Sequence, residues 1–206
     1  MRGTAILPRH DFSLTNVTCL PTGRAIAADY NDLRLVNVYA TAGTARRTDR
    51  ERFFNSELPA LFYAASQSVL LGGYFNCVLH LTETMGPFTN SRALSDVILG
   101  LALSDAWSQG PQRPAYTHFS ATGATRIDRF YITQDLLLRK TSIEILPAAF
   151  TDHNAVVLRL SIPTVHTGWR RGRWKMDPLL VTDAVIKDKV RCAWAKWQRS
   201  KQYYSD

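Results

Sequence analysis

Residues 126–133 read RIDRFYIT, alternating Ile127, Arg129 and Tyr131 on one face with Asp128, Phe130 and Ile132 on the other. Side chains of an extended chain alternate sides with period two, so the pattern predicts a β-strand. Asp128 stands among apolar neighbours, and a carboxylate taken out of water must find a partner. Downstream, TDHN (151–154) sets Asp152 and His153 between two further predicted strands, SIEILP (142–147) and AVVLRLSI (155–162). Upstream, AYTHFS (115–120) reads as a strand. SVLLGGYFN (68–76) reads as a short buried strand that ends in a glycine pair and delivers Tyr74 and Asn76 to the sheet's end.

The first forty residues predict an antiparallel meander built from GTAILPR (3–9), LTNVTCL (14–20), RAIAADY (24–30) and LRLVNVY (33–39), with PTGR (21–24) as a turn. Helices interrupt the strands. Thr48 and Glu51 form a capping-box pattern before Phe53, Phe54, Leu58, Leu61, Phe62 and Ala65, with a kink expected at Pro59. Asn90 or Ser91 can cap SRALSDVILGLAL (91–103), whose apolar side is Leu94, Ile98, Leu101 and Leu103. Strands mixed with helices and opened by a meander imply an α/β sandwich of two packed, mostly antiparallel sheets. A domain is expected over 1–163. The remainder, 164–206, reads as a Gly- and Arg-rich linker, HTGWRRGRW (166–174), and a C-terminal amphipathic helix opened by Asp177 and Pro178 and striped by Ile186, Val190, Trp194 and Trp197.

The whole chain has 206 residues, 46% hydrophobic and 20% charged, which suits one folded core and excludes a disordered chain. No apolar run is long enough to span a bilayer, so a membrane partner is not expected. Cys19, Cys77 and Cys192 are scattered and odd in number, which argues against a disulfide framework or a cysteine-rich zinc site. With no visible secretory signal, the expected setting is intracellular, nuclear or cytoplasmic. The net charge of +8 is concentrated after Pro163, where 10 basic residues face 4 acidic ones. A basic segment that also carries Trp169, Trp174, Trp194 and Trp197 can attract a polyanion, although a merely solvated tail with packed tryptophans reads equally from the same residues.

Polar residues collect at predicted strand ends: Asn37 and Tyr39 in NVYAT (37–41), Tyr74 and Asn76 in GGYFN (72–76), Asp128, and Asp152 with His153. If these strands lie side by side, the tips converge. An imidazole fixed by one carboxylate, beside another carboxylate facing a hard cation, is a workable phosphodiester-cleaving arrangement. Taken singly, each cluster also has a structural reading, as a loop anchor or a filled strand end.

Taken in order, NVYA, GGYFN, RIDRFYIT and TDHNAVVL resemble the motifs of the endonuclease/exonuclease/phosphatase superfamily, the DNase-I-like fold, and in particular the endonuclease domain of non-LTR retrotransposons. The resemblance runs from about Arg2 to Ile162, and GRWKMDPLLVTD (172–183) resembles the segment that follows this domain. It implies catalytic roles for Tyr39 on the scissile phosphate, Asn76 on the phosphate or nucleophile, and Asp128 as orienter of His153. It also implies a metal-side role for Asp152, Mg²⁺ as cofactor, and nucleic acid, DNA rather than RNA, as partner. Thr117, His118 and Arg126 fall near where such proteins approach nucleic acid. Two departures set expectations against full activity. Tyr74 replaces the family's central aspartate, and a phenol with a pKa near 10 is a poor base and a poor ligand for a hard cation. The chain also begins at RGTAILPR, so the family's first strands, with their asparagine and metal-binding glutamate, are expected to be absent. This sets the expectation of a truncated, impaired DNA-nicking domain with an exposed sheet edge open to self-association. The alternatives are a non-catalytic nucleic-acid-binding module and an element remnant without function.

Overall fold

The computed structural model describes residues 3–62, 68–108, 115–121, 123–149 and 151–161, and the helical residues Ala184, Lys187, Asp188, Arg191, Cys192 and Ala195. The chain divides into two compact units, Met1–Ile162 and Pro163–Asp206. Ala65, the linker 166–174, the Asp177–Pro178 start and the stripe Ile186, Val190, Trp194 and Trp197 lie outside the described residues, as do Trp169 and Trp174.

The predicted meander forms: β1 (Thr15–Cys19), β2 (Ala25–Tyr30) and β3 (Leu33–Tyr39) pair antiparallel in sequence order. Next comes β4 (Ser68–Tyr74), parallel to β3, and then β8 (Asp128–Ile132) and the short β5 (Ser104–Asp105) complete a six-stranded sheet of order β1-β2-β3-β4-β8-β5. A second sheet pairs β9 (Lys140–Leu146) with β10 (Ala155–Leu160), and a hairpin pairs β6 (His118–Ser120) with β7 (Gly123–Thr125).

Alternation along the strands sorts two cores. Val36, Val38, Val69, Leu71 and Tyr131 face the helical side, where Phe53, Phe54, Leu58, Leu61, Leu94 and Ile98 cover them. Each fully buried Phe or Leu there stabilises the fold by about 1.5–3 kcal/mol. Leu33, Leu35, Leu70, Phe130 and Ile132 face the other way and meet Leu136 and Leu137 together with Ile143, Leu158 and Leu160 of the second sheet. The two-sheet α/β sandwich expected from the sequence is thus the observed architecture.

Four local expectations are corrected. GTAILPR is not a strand, because no ladder partner engages it; it runs alongside β3, where Asn37 Nδ2 donates to Ala5 O at 2.8 Å. Thr48 does not cap a helix: a tight turn at Thr44–Arg46 leads directly into α1 (Arg47–Arg52), and Glu51 instead accepts from Ala93 N at 3.0 Å. The stretch beyond α1 keeps winding but changes pitch, as a π turn over Phe53–Glu57 and a 3₁₀ turn over Leu58–Leu61 that accommodates Pro59. A short helix, α3 (Gln134–Leu138), lies between two predicted strands where none was expected. The second long helix behaves as read: α2 (Arg92–Gly100) is capped by Ser91, whose Oγ accepts from Leu94 N at 3.1 Å.

Candidate active site

The ladder register lines up one row of side chains across three strands. Tyr39 of β3 stands opposite Tyr74 of β4, and Tyr74 stands opposite Asp128 of β8. All three fall on the face turned toward the second sheet and at the same end of the first, because their parity matches that of Leu35, Leu70 and Phe130. The strands approach closely there. Gly73 has φ +133°, and a Cβ on it would lie 2.1 Å from Val38 O, so only glycine fits. The close fit brings the Tyr39 and Tyr74 rings to 5.3 Å between centroids. After Phe75 the backbone turns through Asn76 at φ 54°, a conformation that asparagine tolerates better than most residues. Its Nδ2 donates to Ala40 O at 2.8 Å, which ties the end of β4 to the end of β3.

The β6–β7 hairpin and the TDHN loop form the opposite wall. His118 and His153 form an antiparallel bridge, Phe119 N donates to Asp152 O at 3.0 Å, and Asn154 N donates to Thr117 O at 2.7 Å. His153 Nδ1 then lies 2.8 Å from Asp128 Oδ2. With the Nδ1 proton given to the carboxylate, Nε2 keeps a lone pair for other chemistry. The His153 ring meets Tyr74 edge-on at 4.7 Å and lies 4.7 Å from the His118 ring. His118 Nε2 is 3.4 Å from Asp152 Oδ2.

Electrostatics follow from this crowding. Burial pushes the Tyr74 phenol up to about 12, with the charge of Asp128, the neighbouring Tyr39 and Asp152 adding to the shift and a hydrogen bond with Asn76 opposing it. The exposed Asp152 carboxyl is held below the usual carboxylate range, first by a hydrogen bond to its own backbone, with help from His153, Thr151 and His118.

The fold therefore brings Tyr39, Asn76, Asp128, Asp152 and His153 to one sheet end, with Tyr74 in their midst. The other expected contacts separate. Thr117 is fully buried, and its hydroxyl accepts from Ile127 N at 3.1 Å and Asp128 N at 3.0 Å, so it fixes the start of β8 and has no surface to offer nucleic acid. Arg126 is turned inward as well, its guanidinium paired with Glu83 and with Asp105 Oδ2 at 2.6 Å. His118 does reach the rim, but as a neighbour of Asp152 and His153. Its pairing across a hairpin has no signal in the sequence beyond the YTHF phrase. Beneath the row, a cavity of about 590 Å³ opens between the sheets, with Leu35, Leu70, Phe130 and Val156 on its walls and the segment Gly3–Ile6 along it.

A hard dication such as Mg²⁺ prefers an oxygen-rich, near-octahedral shell. Here Asp128 is engaged by His153, position 74 holds a phenol, and the metal-competent cluster among the described residues is His118, Asp152 and His153. One carboxylate between two imidazoles does not fit Mg²⁺ well.

No family model matches the chain. Solved structures do. An AP endonuclease from Archaeoglobus fulgidus superposes with a TM-score of 0.61 at 16% identity, covering 73% of this chain and 72% of that one. A 3′ phosphatase from Neisseria, solved bound to a product DNA hairpin, gives 0.57 at 19% identity with the same coverages. A 3′-5′ exonuclease from Neisseria meningitidis gives 0.55 at 19%, covering 73% of each chain. The chain has the DNase-I-like α/β fold of these structures. Its sequence kinship is to a mobile element: it is similar to the transposon TX1 uncharacterized 149 kDa protein of Xenopus laevis, 32% identical over 176 residues, or 80% of this chain. The match spans 13% of that protein's length.

Proposed function

We propose that the chain is a non-LTR retrotransposon endonuclease-type domain that still receives a DNA phosphate at the Tyr39–Asn76–Asp128–His153 rim but hydrolyses it poorly. The observation that carries this reading is Tyr74, a phenol raised to about 12, seated between Tyr39 and His153 where the family's motif has a carboxylate. A neutral phenol donates a hydrogen bond and cannot take a proton from water at neutral pH. Asp128 orients His153, which in its doubly protonated form would donate Nε2–H to a phosphate oxygen. The donors present suit Mg²⁺ badly.

Incubation of supercoiled plasmid with the protein and Mg²⁺ is expected to leave it intact, and His153→Ala should behave the same. Nicking that disappears in His153→Ala would overturn the impairment. The net charge of +8 favours a second reading, a module that binds nucleic acid without cutting it. That reading expects DNA affinity that falls steeply with salt and exceeds the affinity for RNA of the same length. Absence of binding at low salt removes it. An intracellular setting accords with three free cysteines. The fully exposed edge strand β1 makes self-association, measured by sedimentation, part of the same proposal.

A further inference from the structure

We propose that His118, Asp152 and His153 form a binding site for a borderline transition-metal dication of the Zn²⁺ class. One ligand atom from each of the three residues lies within 4.8 Å of the others. His118 Nε2 and Asp152 Oδ2 are 3.4 Å apart, close to the separation of about 3.3 Å that neighbouring ligands take at 2.0–2.1 Å from a tetrahedral Zn²⁺. Proximity alone would be weak, because histidines and carboxylates often meet at surfaces. The second observation concerns the far nitrogen of each ring.

His153 Nδ1 is held by Asp128 Oδ2 at 2.8 Å, and His118 Nδ1 lies 3.4 Å from Thr125 Oγ1. The Asp128 carboxylate takes the His153 Nδ1 proton and so leaves Nε2 of that ring a lone pair, and the Thr125 hydroxyl can accept from His118 Nδ1 in the same tautomer. Metal-binding histidines are usually held this way, with a carboxylate or other oxygen on the nitrogen that does not touch the metal. Backbone pairing makes the arrangement rigid. The His118–His153 bridge and the Phe119 N to Asp152 O bond lock the two loops at the positions that carry the ligands.

The donor set selects the ion. Two imidazoles and one carboxylate suit Zn²⁺ or Co²⁺ and are poorly matched to Mg²⁺. Three protein ligands leave a coordination position open to water or to a phosphate oxygen. The site stands whether or not the chain acts on DNA, because it depends on ligand geometry alone.

Zn²⁺ titration of the full chain against a chromophoric chelator tests it. The expected result is one equivalent of Zn²⁺ held at micromolar concentration and undisturbed by millimolar Mg²⁺. His118→Ala should weaken binding by about tenfold or more, by analogy with losses seen when metal-site residues are removed. Asp152→Asn, at an exposed side chain whose change spares the core, should do the same with its circular dichroism unchanged. Co²⁺ should give visible bands without a thiolate charge-transfer band, and a Cys19→Ser/Cys192→Ser double variant should bind as before. Absence of binding, binding indifferent to both His118→Ala and Asp152→Asn, displacement by Mg²⁺, or dependence on the cysteines would each overturn the proposal.

Discussion

Asp128 and Arg129 are consecutive on β8 and belong to two different worlds. Arg129 turns into the helical core, where it is 2% exposed; its guanidinium reaches Glu83 Oε2 at 2.9 Å, Cys77 O at 2.9 Å and Tyr131 Oη at 2.7 Å. Arg126 reinforces the same Glu83, whose Oε2 also accepts from Leu79 N and His80 N. Asp128 turns the opposite way, toward a rim where its partner His153 remains about a quarter exposed and keeps one ring nitrogen uncommitted. Both are ion-pair or hydrogen-bonded networks built on one strand. The buried one has its charges closed in by protein partners, which makes it structural. The rim one leaves groups open to water, and openness is what chemistry or ligand binding requires.

The sharpest way to break this contrast is Glu83→Ala, which strands the buried Arg129 guanidinium without its carboxylate and leaves Arg126 with Asp105 alone. A loss of about 3–5 kcal/mol is expected, read as a lower urea midpoint. A loss below 1 kcal/mol would mean that the core network is dispensable. Tyr74→Asp acts on the other region. It supplies both a base and an oxygen donor beside Asp152, so plasmid nicking with Mg²⁺ should rise about a hundredfold over the parent, the low end for a positioned base. Equal rates would mean that the side chain at position 74 does not limit nicking. At the bend, Asn76→Ala should cost about 1 kcal/mol and Asn76→Gly much less, since the left-handed backbone penalises a bare Cβ. Equal losses for the two would instead assign the cost to the Asn76–Ala40 hydrogen bond. Asp128→Asn should change stability by less than about 1 kcal/mol, as expected of a partly exposed pair, while altering phosphate or metal affinity.

A last effect appears only in alkali. Tyr74 has a folded pKa of about 12 against the ordinary 10, so the folded state holds its proton more tightly. Its contribution to stability is complete below pH 10 and is lost as pH climbs through 12. Ultraviolet titration should show one late-ionising phenol fewer in Tyr74→Phe.

How much of this was readable from the letters differs between the two regions. The alternation in RIDRFYIT assigns Asp128 and Arg129 to opposite faces, and the four motif phrases name the rim residues, because short-range periodicity survives into the fold. Glu83 gives no such sign: it comes from a brief 3₁₀ turn, and its pairing with Arg129 spans 46 positions. The strand expected at GTAILPR fails for a related reason. An apolar extended run looks the same whether or not a neighbour is there to pair with it. Thr117 shows the converse, a polar residue in a motif that sounds like a ligand contact and is spent on two backbone amides. Arg126 repeats the lesson with charge.

Gly73 carries a consequence for descent. Because β3 leaves no room for any side chain there, the position is frozen by packing whatever the domain is used for. Its neighbour at 74 tolerates a large ring at the rim, and tyrosine and aspartate codons differ by a single base. A phenol and a carboxylate at position 74 are therefore one short mutational step apart on an unaltered scaffold.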